Sequence, residues 1–76
     1  MSRLQAGQLR MWKAVRSQRL HKRGGELFLL LSYSPEAWDS KRDPGYWVYQ
    51  DLETGNVRAW EWESNILEWS DPVGDR

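Results

Sequence analysis

Residues Gly45–Trp69 read GYWVYQDLETGNVRAWEWESNILEW, and this stretch decides the fold. Two runs of β-forming residues, Tyr46–Asp51 and Val57–Trp62, flank a short polar connection, Leu52–Asn56, with a glycine near its tip. Aromatic and β-branched residues suit a pleated, half-buried surface, and glycine tolerates the positive φ that a tight reversal requires. The stretch therefore predicts a β-hairpin with a loop slightly longer than the two-residue minimum. Four of the six tryptophans fall within it: Trp47, Trp60, Trp62 and Trp69.

Side chains alternate along a strand, so the hairpin sorts into two chemistries. Tyr46, Val48 and Gln50 alternate with Trp47, Tyr49 and Asp51, and on the return strand Val57, Ala59 and Glu61 alternate with Arg58, Trp60 and Trp62. One face is then expected to carry small or β-branched residues, and the other bulky aromatics with an arginine. Either has the apolar character of a core, and the function depends on which one points inward.

Upstream of the hairpin, Ser34–Pro44 reads as loop, because two prolines cannot donate to a ladder and Asp-Pro-Gly is turn chemistry. Trp38 in its middle either folds back over the core or is offered to a partner. Glu26–Tyr33, ELFLLLSY, is short, continuous and bounded by turn residues, as a central strand buried on both faces would be. Gln8–Val15 fits neither period cleanly. As a strand it puts Leu9, Met11 and Val15 on one face and Gln8, Arg10, Trp12 and Ala14 on the other; as a helix it has a ragged apolar stripe. The strand is favoured because everything downstream reads as β. Between these two segments, Arg16–Arg23 is a basic connection ended by Gly24-Gly25.

Downstream of the hairpin, Ser64 and Asn65 suit a single 3₁₀ turn, and Leu67-Glu68-Trp69 a last short strand. The expected organisation is a flexible start over 1–6, one small domain over 7–70 and a flexible tail over 71–76. A chain of 76 residues holds one core, and its lack of cysteine leaves neither disulfides nor thiolate metal sites to reinforce it. Aromatic packing has to compensate, since each buried tryptophan removes roughly 150–250 Å² from water.

The net charge of zero conceals an asymmetry. Residues 1–25 hold seven Lys or Arg and no acid, whereas residues 26–76 hold all eleven acids against four basic residues. Such polarity points either to a charged partner or to a basic segment folded across an acidic one. No apolar run approaches the roughly 20 residues of a membrane span, so a soluble, cytoplasmic protein with no membrane partner is expected.

The order of elements resembles the small Src-homology-three-like β-barrel, in its compact form among small phage-encoded proteins. The resemblance covers roughly residues 7–70 and rests on Gly7-Gln8-Leu9, the Leu27–Ser32 strand, Trp47-Val48, Gly55 and Leu67-Glu68. It implies an all-β, five-stranded small barrel with a 3₁₀ turn before the last strand. It also implies a binding or assembly module and not an enzyme, in the host cytoplasm or the virion, as a virion component or a modulator of a host protein. The first long loop is basic, which departs from the acidic loop of proline-peptide binders.

The chemistry-bearing residues agree with a module that does no catalysis. His21 is the only histidine, without cysteine or a second histidine to complete a zinc site. No nucleophile–base arrangement or phosphate-binding glycine fingerprint is present, so no catalytic residue, metal, cofactor or small-molecule substrate is expected. A protein-binding patch of Trp47, Tyr49, Arg58, Trp60 and Trp62, with Trp38, would serve a protein partner or self-association, because aromatics and arginine are enriched in interface cores. The alternative is a nucleic-acid-binding module using Arg16, Arg19, Lys22 and Arg23 on phosphates.

Overall fold

A computed structural model describes residues 4–18, 20–34, 45–57 and 59–74. Trp38, Arg19 and Arg58, and most of the Ser34–Pro44 connection, lie outside the described residues. The strands are β1 (Leu9–Trp12), β2 (Val15–Arg16), β3 (His21–Lys22), β4 (Leu27–Ser34), β5 (Tyr46–Asp51), β6 (Ala59–Trp62) and β7 (Ser70–Pro72), and a helix α1 (Glu63–Trp69) joins β6 to β7. Five strands form one antiparallel sheet in the order β6-β5-β4-β1-β7, and β2 and β3 form a separate two-stranded ribbon. The all-β expectation holds, with five strands in the main sheet. The sheet is open, with β6 and β7 as its edges, where a closed barrel was expected.

The core lies on one face of the sheet. Trp12 of β1, Phe28 and Leu30 of β4, and Trp47 and Tyr49 of β5 are buried there, against Ile66 of α1, Val15 and Leu20 of the ribbon, and Leu4. Trp12 stacks on Phe28 with centroids 4.1 Å apart, and Tyr49 meets both edge-on at 5.6 and 5.1 Å. Offset and edge-on geometries let positive ring edges meet negative faces, adding to the stabilisation from burial alone. Aromatic packing around Trp12, Phe28, Trp47 and Tyr49 thus reinforces a core without disulfides.

Gln8–Val15 is strand only as far as Trp12, and Arg10 and Trp12 are the residues turned inward. The chain breaks at Lys13, whose amide donates to the Trp69 carbonyl at 2.8 Å. The break resets the alternation, so Val15 is buried as well, on the new strand β2. The described residues of the basic connection take part in a two-stranded ribbon, with Val15 opposite Lys22 and Arg16 opposite His21. Ser17 closes its turn, donating N–H to the Leu20 carbonyl and accepting the Leu20 amide at 2.9 Å on its Oγ.

Strand β4 was expected to be buried on both faces, and it is not. Phe28 and Leu30 on the inner face are fully covered, while Leu27 and Leu29 on the outer face are only half-buried and Leu31 keeps 38% exposure. A register irregularity between Leu30 and Ser32 inserts Leu31 as an extra residue.

The expected 3₁₀ turn is a seven-residue α-helix, and Leu67–Trp69 are its last residues, not a strand. Burial of Ile66, with Leu67 and Trp69 packed beside it, rewards the longer helix, and the Glu63 carboxylate sits in the first turn where the helix dipole favours it. The closing strand comes three residues later than expected, at Ser70–Pro72. Ser70 Oγ accepts from Arg10 Nε at 2.7 Å and donates to the Ile66 carbonyl at 2.5 Å, and the Ser70 carbonyl accepts from Arg10 Nη2 at 2.9 Å. Asp71 and Pro72 pair with Met11 and Arg10, so the tail expected from 71 begins after the sheet has closed on β1. At the other end, Leu4 is 4% exposed and joins the core, so the expected flexible start over 1–6 includes a core residue.

Candidate functional site

The hairpin loop explains how its faces are assigned. Asp51 N–H donates to the Asn56 carbonyl at 2.9 Å, and Gly55 N–H, at a φ of +79°, donates to the Asp51 carbonyl at 2.6 Å. Continued without interruption, that closure would set Trp47 opposite Trp60 and gather the large aromatics on one face. The ladder instead pairs Tyr49 with Ala59, Val48 with Trp60, Trp47 with Glu61 and Tyr46 with Trp62. The ladder is offset by one residue from the register of the loop closure. A one-residue shift exchanges the faces of every residue beyond it.

The predicted patch is therefore divided. Trp47 and Tyr49, each 4% exposed, face inward with Ala59 and the buried Glu61 and belong to the core, which corrects their assignment to a binding surface. Trp60 and Trp62 face outward, together with Tyr46 and Val48, which had been placed on the opposite face. Tyr46, Trp60 and Trp62 touch one another, with centroids 5.3 Å (Tyr46–Trp60), 5.8 Å (Tyr46–Trp62) and 5.3 Å (Trp60–Trp62) apart. Trp60 is 45% exposed, and the other two rings are half-buried. Tyr46 escaped the sequence reading because its face depends on register, and alternation within one strand does not reveal register.

Inward-facing groups hold this edge in place. Asn65 of α1 donates to the Glu61 carboxylate at 2.5 Å, and Glu63 N–H donates to the Gly45 carbonyl at 3.1 Å. A Cβ on Gly45 would run into the Ser34 carbonyl and lie 2.7 Å from the Tyr33 hydroxyl, so β4 and β5 approach there as closely as only glycine permits. The Tyr33 ring packs on Trp47 at 5.2 Å, and desolvation followed by the Glu63 charge raises its hydroxyl pKa above the ordinary value. The polar groups beneath the aromatic triad thus act as its support.

Of the predicted phosphate contacts, Arg16, Lys22 and Arg23 lie within the described residues, and the ribbon places them differently. Lys22 Nζ lies 2.9 Å from Asp51 Oδ2 and 5.7 Å from the Trp12 ring centroid, so it serves an internal ion pair and a cation–π contact. Arg16 and Arg23 are exposed. The depression beside Arg23 is also lined by Glu26 and Glu53, whose charges oppose a phosphate. Among the described residues no three His, Cys, Asp or Glu side chains are grouped to hold a metal, and no helix is long and apolar enough to cross a membrane. Compared with protein-family models, curated proteins and solved structures, the chain matches none.

Proposed function

We propose that the chain is a non-enzymatic binding module of the Src-homology-three-like kind that docks onto a protein through the outward aromatic triad Tyr46, Trp60 and Trp62. The observation that carries this is the exposure of Trp60 within a triad of touching rings whose described neighbours on that face, Ser32, Ser34 and Val48, are uncharged. Large aromatic side chains concentrate binding energy at protein interfaces, and they are otherwise buried. The order of elements supports the barrel resemblance: a first strand that pairs with both the hydrophobic strand and the closing strand, a basic ribbon, a hairpin, and a helical turn before the end. Engagement of Lys22 by Asp51 weighs against the nucleic-acid alternative.

Affinity purification of the tagged protein from the cell that encodes it, after nuclease treatment, tests the reading. A protein retained by the wild type and lost with Trp60→Ala supports it. Capture that Trp60→Ala leaves unchanged, or that nuclease abolishes, overturns it.

A further inference from the structure

The triad is one end of a larger surface. Across the outer face of the sheet, Ser34, Tyr46 and Trp62 form one row of opposed residues, and Ser32, Val48 and Trp60 the next. Leu9, Leu29 and Gln50 form a third row, and Met11 and Leu27 a fourth. Aromatic rings therefore occupy one end of the face and aliphatic side chains the other. None of these residues is charged, in a chain that is 29% Asp, Glu, Lys and Arg. Among the described residues of the paired strands, the charge on this face is Asp71 at the β7 rim, opposite Met11 and 3.8 Å from Lys13 Nζ.

We propose that this face packs on the same face of a second copy of the chain, sheet on sheet, about a two-fold axis near its centre. The proposal rests on the reading of the triad as a docking site and names its partner. Three considerations select a second copy. A face whose described charges are confined to the Lys13–Asp71 pair at its rim meets its own image with little like-charge repulsion. Strongly apolar interfaces are a mark of homodimers, whereas transient ones are no more apolar than the remaining surface. The residues of the five strands, at about 4.8 Å spacing and about 3.3 Å rise each, give a footprint on the order of 400 Å² in projection. Side chains standing on it present more area than the projection, toward the roughly 600 Å² per partner at the low end of stable interfaces. Finally, a two-fold axis sets residue i on j and j on i. With the axis running across the line from aromatic to aliphatic end, it lays the aromatic end of each copy over the aliphatic end of the other. The sheet thereby acquires on this side a second layer that the described residues do not supply.

Sedimentation equilibrium of the full chain over a range of concentrations tests this. A species of twice the 9.1 kDa chain mass is expected, and Trp60→Lys and Met11→Glu, both at exposed positions, should each raise the dimer Kd by more than about tenfold. Mixing the two variants restores the dimer, because one contact then joins Lys to Glu and the other keeps Met11 on Trp60. Restoration also shows that both variants are folded. A wild type that stays monomeric at the highest concentration, or a mixture of folded variants that fails to recover, overturns the proposal. If the wild type is monomeric yet Trp60→Ala abolishes capture of another protein, only the choice of partner has failed. If Trp60→Ala changes neither, the docking site itself is wrong.

Discussion

Lys22 Nζ sits 2.9 Å from Asp51 Oδ2, with both side chains largely withdrawn from solvent, and joins the basic ribbon to the far end of strand β5. A residue of the basic amino-terminal third thus meets one of the acidic remainder inside the molecule, so part of the charge asymmetry is consumed by folding. Trp12 lies beneath the ammonium group, and the Glu53 amide donates to the other carboxylate oxygen of Asp51 at 2.9 Å. Exposed pairs contribute at most about 1 kcal/mol and breaking buried ones costs about 3–5 kcal/mol, so Lys22→Ala is expected to cost about 2 kcal/mol in urea unfolding.

The same pair predicts an acid sensitivity. Burial alone would raise the Asp51 pKa, but the Lys22 hydrogen bond, the Glu53 amide, the Lys22 charge and the Thr54 amide together outweigh it and lower the value. The folded state then holds the proton less tightly than the unfolded chain, where an aspartate titrates near about 3.9. Stability from this group is complete above that value and is lost as pH falls through the lower folded one. Asp51→Asn should therefore be less stable than the wild type at neutral pH, and the difference in Tm should narrow in acid.

Trp47 and Trp60 are expected to behave as opposites although they lie on neighbouring strands of one hairpin. Trp47→Ala empties a core site and should cost about 3–5 kcal/mol, enough to unfold much of a domain this small. Trp60→Ala should cost about 1 kcal/mol or less. Denaturant midpoints for the two variants check the assignment of faces, and comparable losses would contradict it.

Gly45→Ala tests the close approach of β4 and β5. The added methyl meets backbone at Ser34, which has nowhere to move within a paired strand, so a loss of about 1–3 kcal/mol is expected by thermal or chemical unfolding.

Ser70→Ala tests how the closing strand is held. It removes the acceptor for Arg10 Nε within a buried site and the donor to the Ile66 carbonyl. A cost of about 1–3 kcal/mol follows from leaving a buried donor short of a partner. Amide exchange in β7 should accelerate more than exchange in β4.

The sequence by itself determined the β class, the position of the hairpin and the hydrophobic strand before it, because alternation and turn residues act over a few positions. Leu27–Ser34 and Tyr46–Asp51 follow from that local chemistry. Tertiary structure decided the length of the final helix, since burial of Ile66 comes from distant strands. It also decided the role of Lys22, whose partner lies 29 residues away, and, above all, which tryptophans face solvent. The loop closure of Asp51 with Asn56 and the ladder pairing of Tyr49 with Ala59 differ by one residue. That single shift sent Trp47 to the core and Trp60 to the surface, and only packing of the whole sheet could select it.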